Sequence, residues 1–213
     1  MKILDLFCGT KSVSNYFKAK HHEVVTLDID KDFNPDICSD ILEWDYKVYE
    51  PNEFFYIHAS PPCVTYSTMG GGKHRTKKDL IPLTPEAINA DLILIRLLEI
   101  LEYFNPTYWT IENPRGLMRY YLTDFNYETV NYCKYGSLFF KPTDIFNNFN
   151  FKGLRCKYER KGQTVDCSHM RVKGSHKDRV RGGIQRVSKH ERYKIPEKLV
   201  EAIFRYISPT III

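Results

Sequence analysis

The sequence predicts an α/β protein: a mostly parallel sheet with helices on both faces and an edge hairpin. Three observations carry that prediction. Short apolar runs alternate with helical spacing through the first half, the pattern of βαβ units. A long helix is announced at Thr84-Pro85-Glu86, an N-cap followed by proline at the first helical position. Beyond Glu112-Asn113-Pro114, two strand-like runs follow one another with no helical spacing between them.

In chain order, strands are predicted at Ile3–Phe7, Glu23–Asp28, Phe54–Ala59 and Tyr108–Ile111, with a helix from about residue 12 and the long helix running through Leu101. Thr129–Cys133 and Thr143–Phe146, joined by Lys134–Pro142, are the predicted hairpin. Pro196 opens a last helix, Glu197–Ile207, with Leu199, Val200, Ile203 and Phe204 on one face.

The 213 residues suit one domain, and 43% hydrophobic with 27% charged residues is a globular balance. Asp5 breaks the first apolar run, so neither a signal peptide nor a membrane span is expected there, and a cytoplasmic monomer without membrane partners is the expectation. The six cysteines (Cys8, Cys38, Cys63, Cys133, Cys156, Cys167) then read as reduced thiols. Charge is uneven: Arg155–Lys194 holds 13 Lys and Arg against 4 Asp and Glu, net +9, which leaves −4 of the total +5 for the rest. An acidic body with one basic segment fits a phosphate backbone, hence DNA as partner, although a solvated loop has the same composition.

Two loops at predicted strand ends carry chemistry. Asp5-Leu6-Phe7-Cys8-Gly9-Thr10 lies where open α/β sheets bind nucleotide-like ligands, and Asp28 ends the second strand, where a carboxylate can take ribose hydroxyls. Ser60-Pro61-Pro62-Cys63 places a thiol at another strand end, its direction stiffened by paired prolines. Buried structural thiol is the common fate of a free cysteine, but a Pro-Pro loop beside polar residues is a poor place to bury one. Three glycines and a basic cluster follow, Gly70 to Lys78, as a hinge whose Lys73, Arg75 and Lys77 would meet phosphates beside Ser67. Glu112, directly after an apolar strand, would sit at the same sheet edge, partly desolvated and with its pKa raised.

Together these segments resemble the DNA (cytosine-5) methyltransferase family, in order and over most of the chain, as a small phage- or virus-like member. The resemblance implies a Rossmann-like class I methyltransferase sheet and S-adenosylmethionine as cofactor. It assigns Asp5, Phe7, Cys8, Gly9, Thr10, Lys11 and Ser12 to the cofactor loop, with Asp28, Ile29, Asp40, Ile41 and Pro61 around the adenosine. Cys63 would be the covalent nucleophile, Glu112 its partner on ring nitrogen 3, and Lys141 would stand where a catalytic arginine is usual. The target base must be flipped out of the duplex.

Departures are as specific as the match. Gly9-Thr10-Lys11-Ser12 replaces Gly-x-Gly-Gly, Pro114 the usual valine, and Val64 the common glutamine. The large target-recognition domain is replaced by about residues 150–194, between a catalytic unit (1–149) and a C-terminal helix (195–213) completing it. Arg115, Arg171, Arg179 and Arg181 are the expected DNA contacts with those above. Cys156, Cys167 and His169, with His176, are weak zinc candidates at non-standard spacing. Lys194 and Lys11, near the expected cofactor, raise a carboxylated S-adenosylmethionine as an alternative donor. RNA or a free cytidine nucleotide as substrate, and a non-catalytic DNA-binding relative, are the other readings.

Overall fold

A computed structural model describes residues 1–68, 71–137, 140–156, 191 and 193–208. Seven strands form one sheet: β1 (Lys2–Leu6), β2 (Glu23–Asp28), β3 (Ile37–Cys38), β4 (Tyr56–Ala59), β5 (Tyr108–Pro114), β6 (Tyr127–Asn131) and β7 (Pro142–Asn147), in the order β3-β2-β1-β4-β5-β7-β6. All pairings are parallel except those of β7, which runs antiparallel to β5 and to β6. The expected hairpin is therefore present, with its second strand inserted beside β5 and its first at the edge. The two-residue β3 had no sequence signal. Tyr132–Tyr135 is a 3-10 turn rather than the tail of a strand.

Helices α1 (Ser12–Ala19), α3 (Pro85–Phe104) and α4 (Glu197–Ile207) cover the sheet, while the short α2 (Gly71–His74) lies against the Val64–Tyr66 turn. Thr84 caps α3 as expected, accepting from Ala87 N at 3.3 Å. The helix runs one turn past Leu101, to Asn105 in the left-handed region. Among the described residues no helix is long and apolar enough to cross a membrane.

Alternation along the strands explains how the two faces differ. One face presents Leu4, Leu6, Leu27, Ile57, Ala59 and Ile111 to α3, an unbroken apolar layer. The other begins the same way: Ile3, Val24, Tyr56 and Tyr108 lie in register beneath α1 and α4. Two residues further on, the row becomes polar yet stays buried: Thr26, Asp5, His58 and Thr110. Two residues further still come Phe7, Asp28, Ser60 and Glu112, beyond the pairings among β1, β2, β4 and β5, with Asp28 still paired to Cys38 and Glu112 to Ile145. The apolar rows bury surface worth roughly 25 cal/mol per Å². The polar row gives up part of that to make a floor.

Gly116 fixes the chain beyond β5. A Cβ there would lie 2.2 Å from the Tyr66 carbonyl oxygen, which already accepts from Leu117 N at 2.6 Å. Gly116→Ala must therefore push the two segments apart, and a loss of roughly 1–3 kcal/mol is expected, typical of overpacking. Urea unfolding of the variant reads it; an unchanged midpoint would mean that the loops yield freely.

Candidate active site

The row Phe7, Asp28, Ser60 and Glu112 borders a cavity of about 280 Å³, which Gly9, Thr10, Ser12, Val13, Ile29, Phe33, Pro61, Pro62, Cys63, Val64, Lys141, Tyr193 and Ile195 also line. The carboxyl ends of β1, β2 and β4, with β5 running on beside them to Pro114, bring four sequence-distant segments to one crevice.

The Gly9 loop is bent tightly: Phe7, Gly9 and Lys11 all have φ near +50° (58°, 45° and 56°). Asp28 holds the bend, one carboxylate oxygen accepting from Gly9 N at 2.8 Å and the other from Asp30 N at 2.9 Å. The C-terminal segment closes the far wall, with Ile195 N donating to Ser12 Oγ at 3.2 Å across 183 positions. Apolar Phe7, Val13, Ile29, Phe33 and Ile195 beside the Asp28 carboxylate and a close backbone suit a nucleoside-like ligand.

Four placements correct the sequence expectations. Ile41 is core, beneath α3. Asp40, half-buried, accepts from Leu42 N two residues on, and neither residue lines the cavity. Lys11 donates to the Asn34 carbonyl and Lys194 is exposed; neither reaches the lining, which removes the positional argument for a carboxylated donor. Arg75, expected to meet phosphate, is 1% exposed and bonded to Asp91. Lys73, Lys77 and Arg115 do face outward, and Ser67 is half-buried with its hydroxyl on the Val64 carbonyl at 3.2 Å. Arg171, Arg179, Arg181, Cys167, His169 and His176 lie outside the described residues. Cys156 is half-buried, and its amide donates to Asn131 Oδ1 at 2.7 Å.

The second half of the cavity holds the reactive groups. Cys63 follows Pro61, whose carbonyl accepts from Asn113 Nδ2 at 3.2 Å, so the loop is tied to β5. Burial raises the Cys63 thiol pKa and the Glu112 charge adds to this, while Lys141 pulls it down. Glu112 lies inside β5 rather than after it, and is 6% exposed. Its Oε1 accepts from the Tyr132 hydroxyl at 2.7 Å and faces Lys141 Nζ at 3.5 Å. Both donors come from the hairpin: Tyr132 N bonds the Lys141 carbonyl at 3.2 Å, one step beyond the Asn131–Pro142 pair. Tyr132, buried and held far above the ordinary phenol pKa by desolvation and by Glu112, remains a donor. Nothing in the sequence singled it out.

Beneath lies the polar row. His58 bonds Thr110 Oγ1 at 2.9 Å and Ser60 Oγ at 3.0 Å, and burial lowers its pKa to about 4, so it stays neutral. Asp5 accepts from Ser14 N and Oγ, yet burial raises its pKa to about 7 despite those bonds. A carboxyl raised from the ordinary 3.8 leaves the folded state binding the extra proton, so its contribution to stability is full below about pH 4 and lost as pH rises to about 7. Relative to Asp5→Asn, the wild type should lose a few kcal/mol over that window, on the order of 1.4 per pKa unit. Parallel urea stability curves for the two proteins between pH 4 and 8 would contradict it.

The crevice lies at the carboxyl edge of a Rossmann-like sheet of order 3-2-1-4-5-7-6 with one reversed strand. Among solved structures, the Entamoeba histolytica methyltransferase EhMeth superposes with a TM-score of 0.61 over 98% of both chains at 11% identity, a likeness of fold. In sequence, the chain is 36% identical over 145 residues to a Frog virus 3 (isolate Goorha) protein named "Probable DNA (cytosine-5)-methyltransferase". That alignment spans 63% of this chain and 64% of the viral protein, just under two thirds of the relative's length. No protein-family model matches the chain.

Proposed function

We propose that the chain is a DNA (cytosine-5) methyltransferase, transferring a methyl group from S-adenosylmethionine to carbon 5 of a flipped cytosine through a covalent Cys63 adduct. The observation that carries this is the meeting of Cys63 and Glu112 at one cavity, with Tyr132 and Lys141 both engaged on Oε1 of Glu112. Oε2 is the oxygen assigned to the base.

When bound, S-adenosylmethionine supplies a methyl group on a positively charged sulfur, an electrophile for carbon 5. The chain's own residues do the rest. Cys63 releases its proton to solvent and bonds carbon 6 while Glu112, having taken up a proton from solvent, passes it to ring nitrogen 3, and the displaced electron pair reaches carbon 5. After carbon 5 has taken the methyl group, ring nitrogen 3 returns its proton to Glu112, water takes the proton of carbon 5, the C5–C6 double bond re-forms, and Cys63 leaves as thiolate. Lys141 opposes the Glu112 charge felt by Cys63, and Tyr132 fixes the carboxyl's orientation. Exposed Lys73, Lys77 and Arg115 contact the DNA, and by its charge the basic stretch 150–194, with Arg171, Arg179 and Arg181, binds phosphates as well. Residues 195–213 belong with the catalytic unit of 1–149, a division supported by the Ile195–Ser12 bond.

The test is incubation with S-adenosylmethionine and duplex DNA, followed by nucleoside mass analysis. The expected product is 5-methyldeoxycytidine. No modified base from a cofactor-loaded protein would overturn the proposal, as would product from RNA or free nucleotide alone.

A further inference from the structure

Arg75 heads the fully buried large side chains. Its guanidinium lies 4.4 Å from the ring centre of Tyr66 and 5.0 Å from that of Tyr121. Nε donates to the Thr65 carbonyl at 3.1 Å. Nη1 donates to Asp91 Oδ2 at 2.9 Å and to the Tyr121 hydroxyl at 2.7 Å. Nη2 donates to Asp91 Oδ1 at 2.7 Å and, at 3.3 Å each, to Thr65 Oγ1 and the Ala87 carbonyl. All three nitrogens are thus engaged inside the protein, and none faces a phosphate.

The partners come from three segments: Thr65 and Tyr66, two and three residues after Cys63, Ala87 and Asp91 on α3, and Tyr121 beyond β5. Tyr66 joins the same cluster, its hydroxyl donating to Asp91 Oδ1 at 2.6 Å. From the opposite side Leu117 N holds the Tyr66 carbonyl, with Gly116 packed against it. Well-packed apolar residues commonly replace a buried ion pair at no loss of stability. What they could not replace is the fork that ties Thr65 to α3 at a fixed distance and angle.

We infer that Arg75 is a positioning residue: with Asp91 it locks the Thr65–Tyr66 turn against α3 and so sets the direction in which Cys63 meets the cavity. This rests on the reading of Cys63 as nucleophile. The basic stretch after Cys63 accordingly divides its labour, Lys73 and Lys77 facing out and Arg75 anchoring from within.

The test uses the full chain with Arg75→Lys, which keeps the charge but cannot bond Thr65 and Asp91 together, and Arg75→Met/Asp91→Leu, which keeps a packed core without the fork. Two readouts are taken: the iodoacetamide alkylation rate of Cys63 relative to exposed Cys38 in the same molecules, and methyl transfer with kcat and the KM for DNA separated. A released turn admits water to the thiol, so the Cys63:Cys38 ratio should rise about tenfold, while kcat falls on the order of 100-fold and KM for DNA stays within about twofold. An unchanged alkylation ratio in a folded variant overturns the inference. So does a raised KM for DNA with a weakened salt dependence, which is the signature of a phosphate contact. If both variants unfold, Tyr121→Phe removes one hydroxyl from the cluster and should move both readouts the same way, by about threefold; no movement overturns the inference. Should the wild type transfer no methyl group, the proposed function fails while the alkylation arm still reads the lock.

Discussion

Cys63→Ser is expected to abolish methyl transfer, by about 10⁴-fold or more, while S-adenosylmethionine still binds. A serine hydroxyl fits the same space but is far less nucleophilic towards carbon 6 and cannot ionise at neutral pH. Among the described residues, the one other thiol lining the cavity cannot substitute. Cys8 lines the cavity, but burial and the charges of Asp5 and Asp28 push its pKa to about 12, and Cys38 is on β3, away from the lining. Transfer and cofactor binding should be measured on the same preparations. Residual activity within tenfold of wild type would remove Cys63 from the mechanism.

Glu112→Gln separates two effects that usually move together. Transfer should fall about 10²–10⁴-fold, the range of a positioned general acid. Yet the Cys63 thiol should become easier to ionise, because the Glu112 charge is one of the causes holding its pKa up. The pH midpoint for alkylation of Cys63 should therefore move down in Glu112→Gln and up in Lys141→Ala, which removes the opposing cation. A more ionised nucleophile in a slower protein would mean that Glu112 acts on the base and not on the thiol. If both midpoints match wild type, the two charges do not reach Cys63 and the electrostatic account of the cluster is wrong.

Much of this arrangement was legible from residue order, because local physics fixes it. Alternation and caps located β1, β2, β4, α1, α3 and α4. Strand ends in a parallel sheet are binding edges, so Gly9, Asp28, Cys63 and Glu112 could be assigned to one crevice before any contact was known. What escaped depends on partners distant in sequence. Tyr132 looks like one of many tyrosines until the hairpin lays it against Glu112, 20 positions away. Arg75 sits in a run of cations with nothing to distinguish it, and only the Thr65–Asp91–Tyr121 cluster shows that it points inward. Ile41 reads as part of a cofactor motif but packs under α3, where apolar burial decides. A two-residue strand such as β3 has no periodicity to detect.

The central claim is a covalent bond between Cys63 and a cytosine during group transfer. Fluorine at carbon 5 cannot leave as a proton does, so it traps that adduct. DNA carrying 5-fluorocytosine, incubated with the protein and S-adenosylmethionine, should yield a denaturation-resistant complex whose cross-link maps to Cys63 by peptide mass spectrometry and is missing from Cys63→Ala. Absence of any adduct from protein shown to bind both DNA and cofactor, or a cross-link at a different residue, would contradict it.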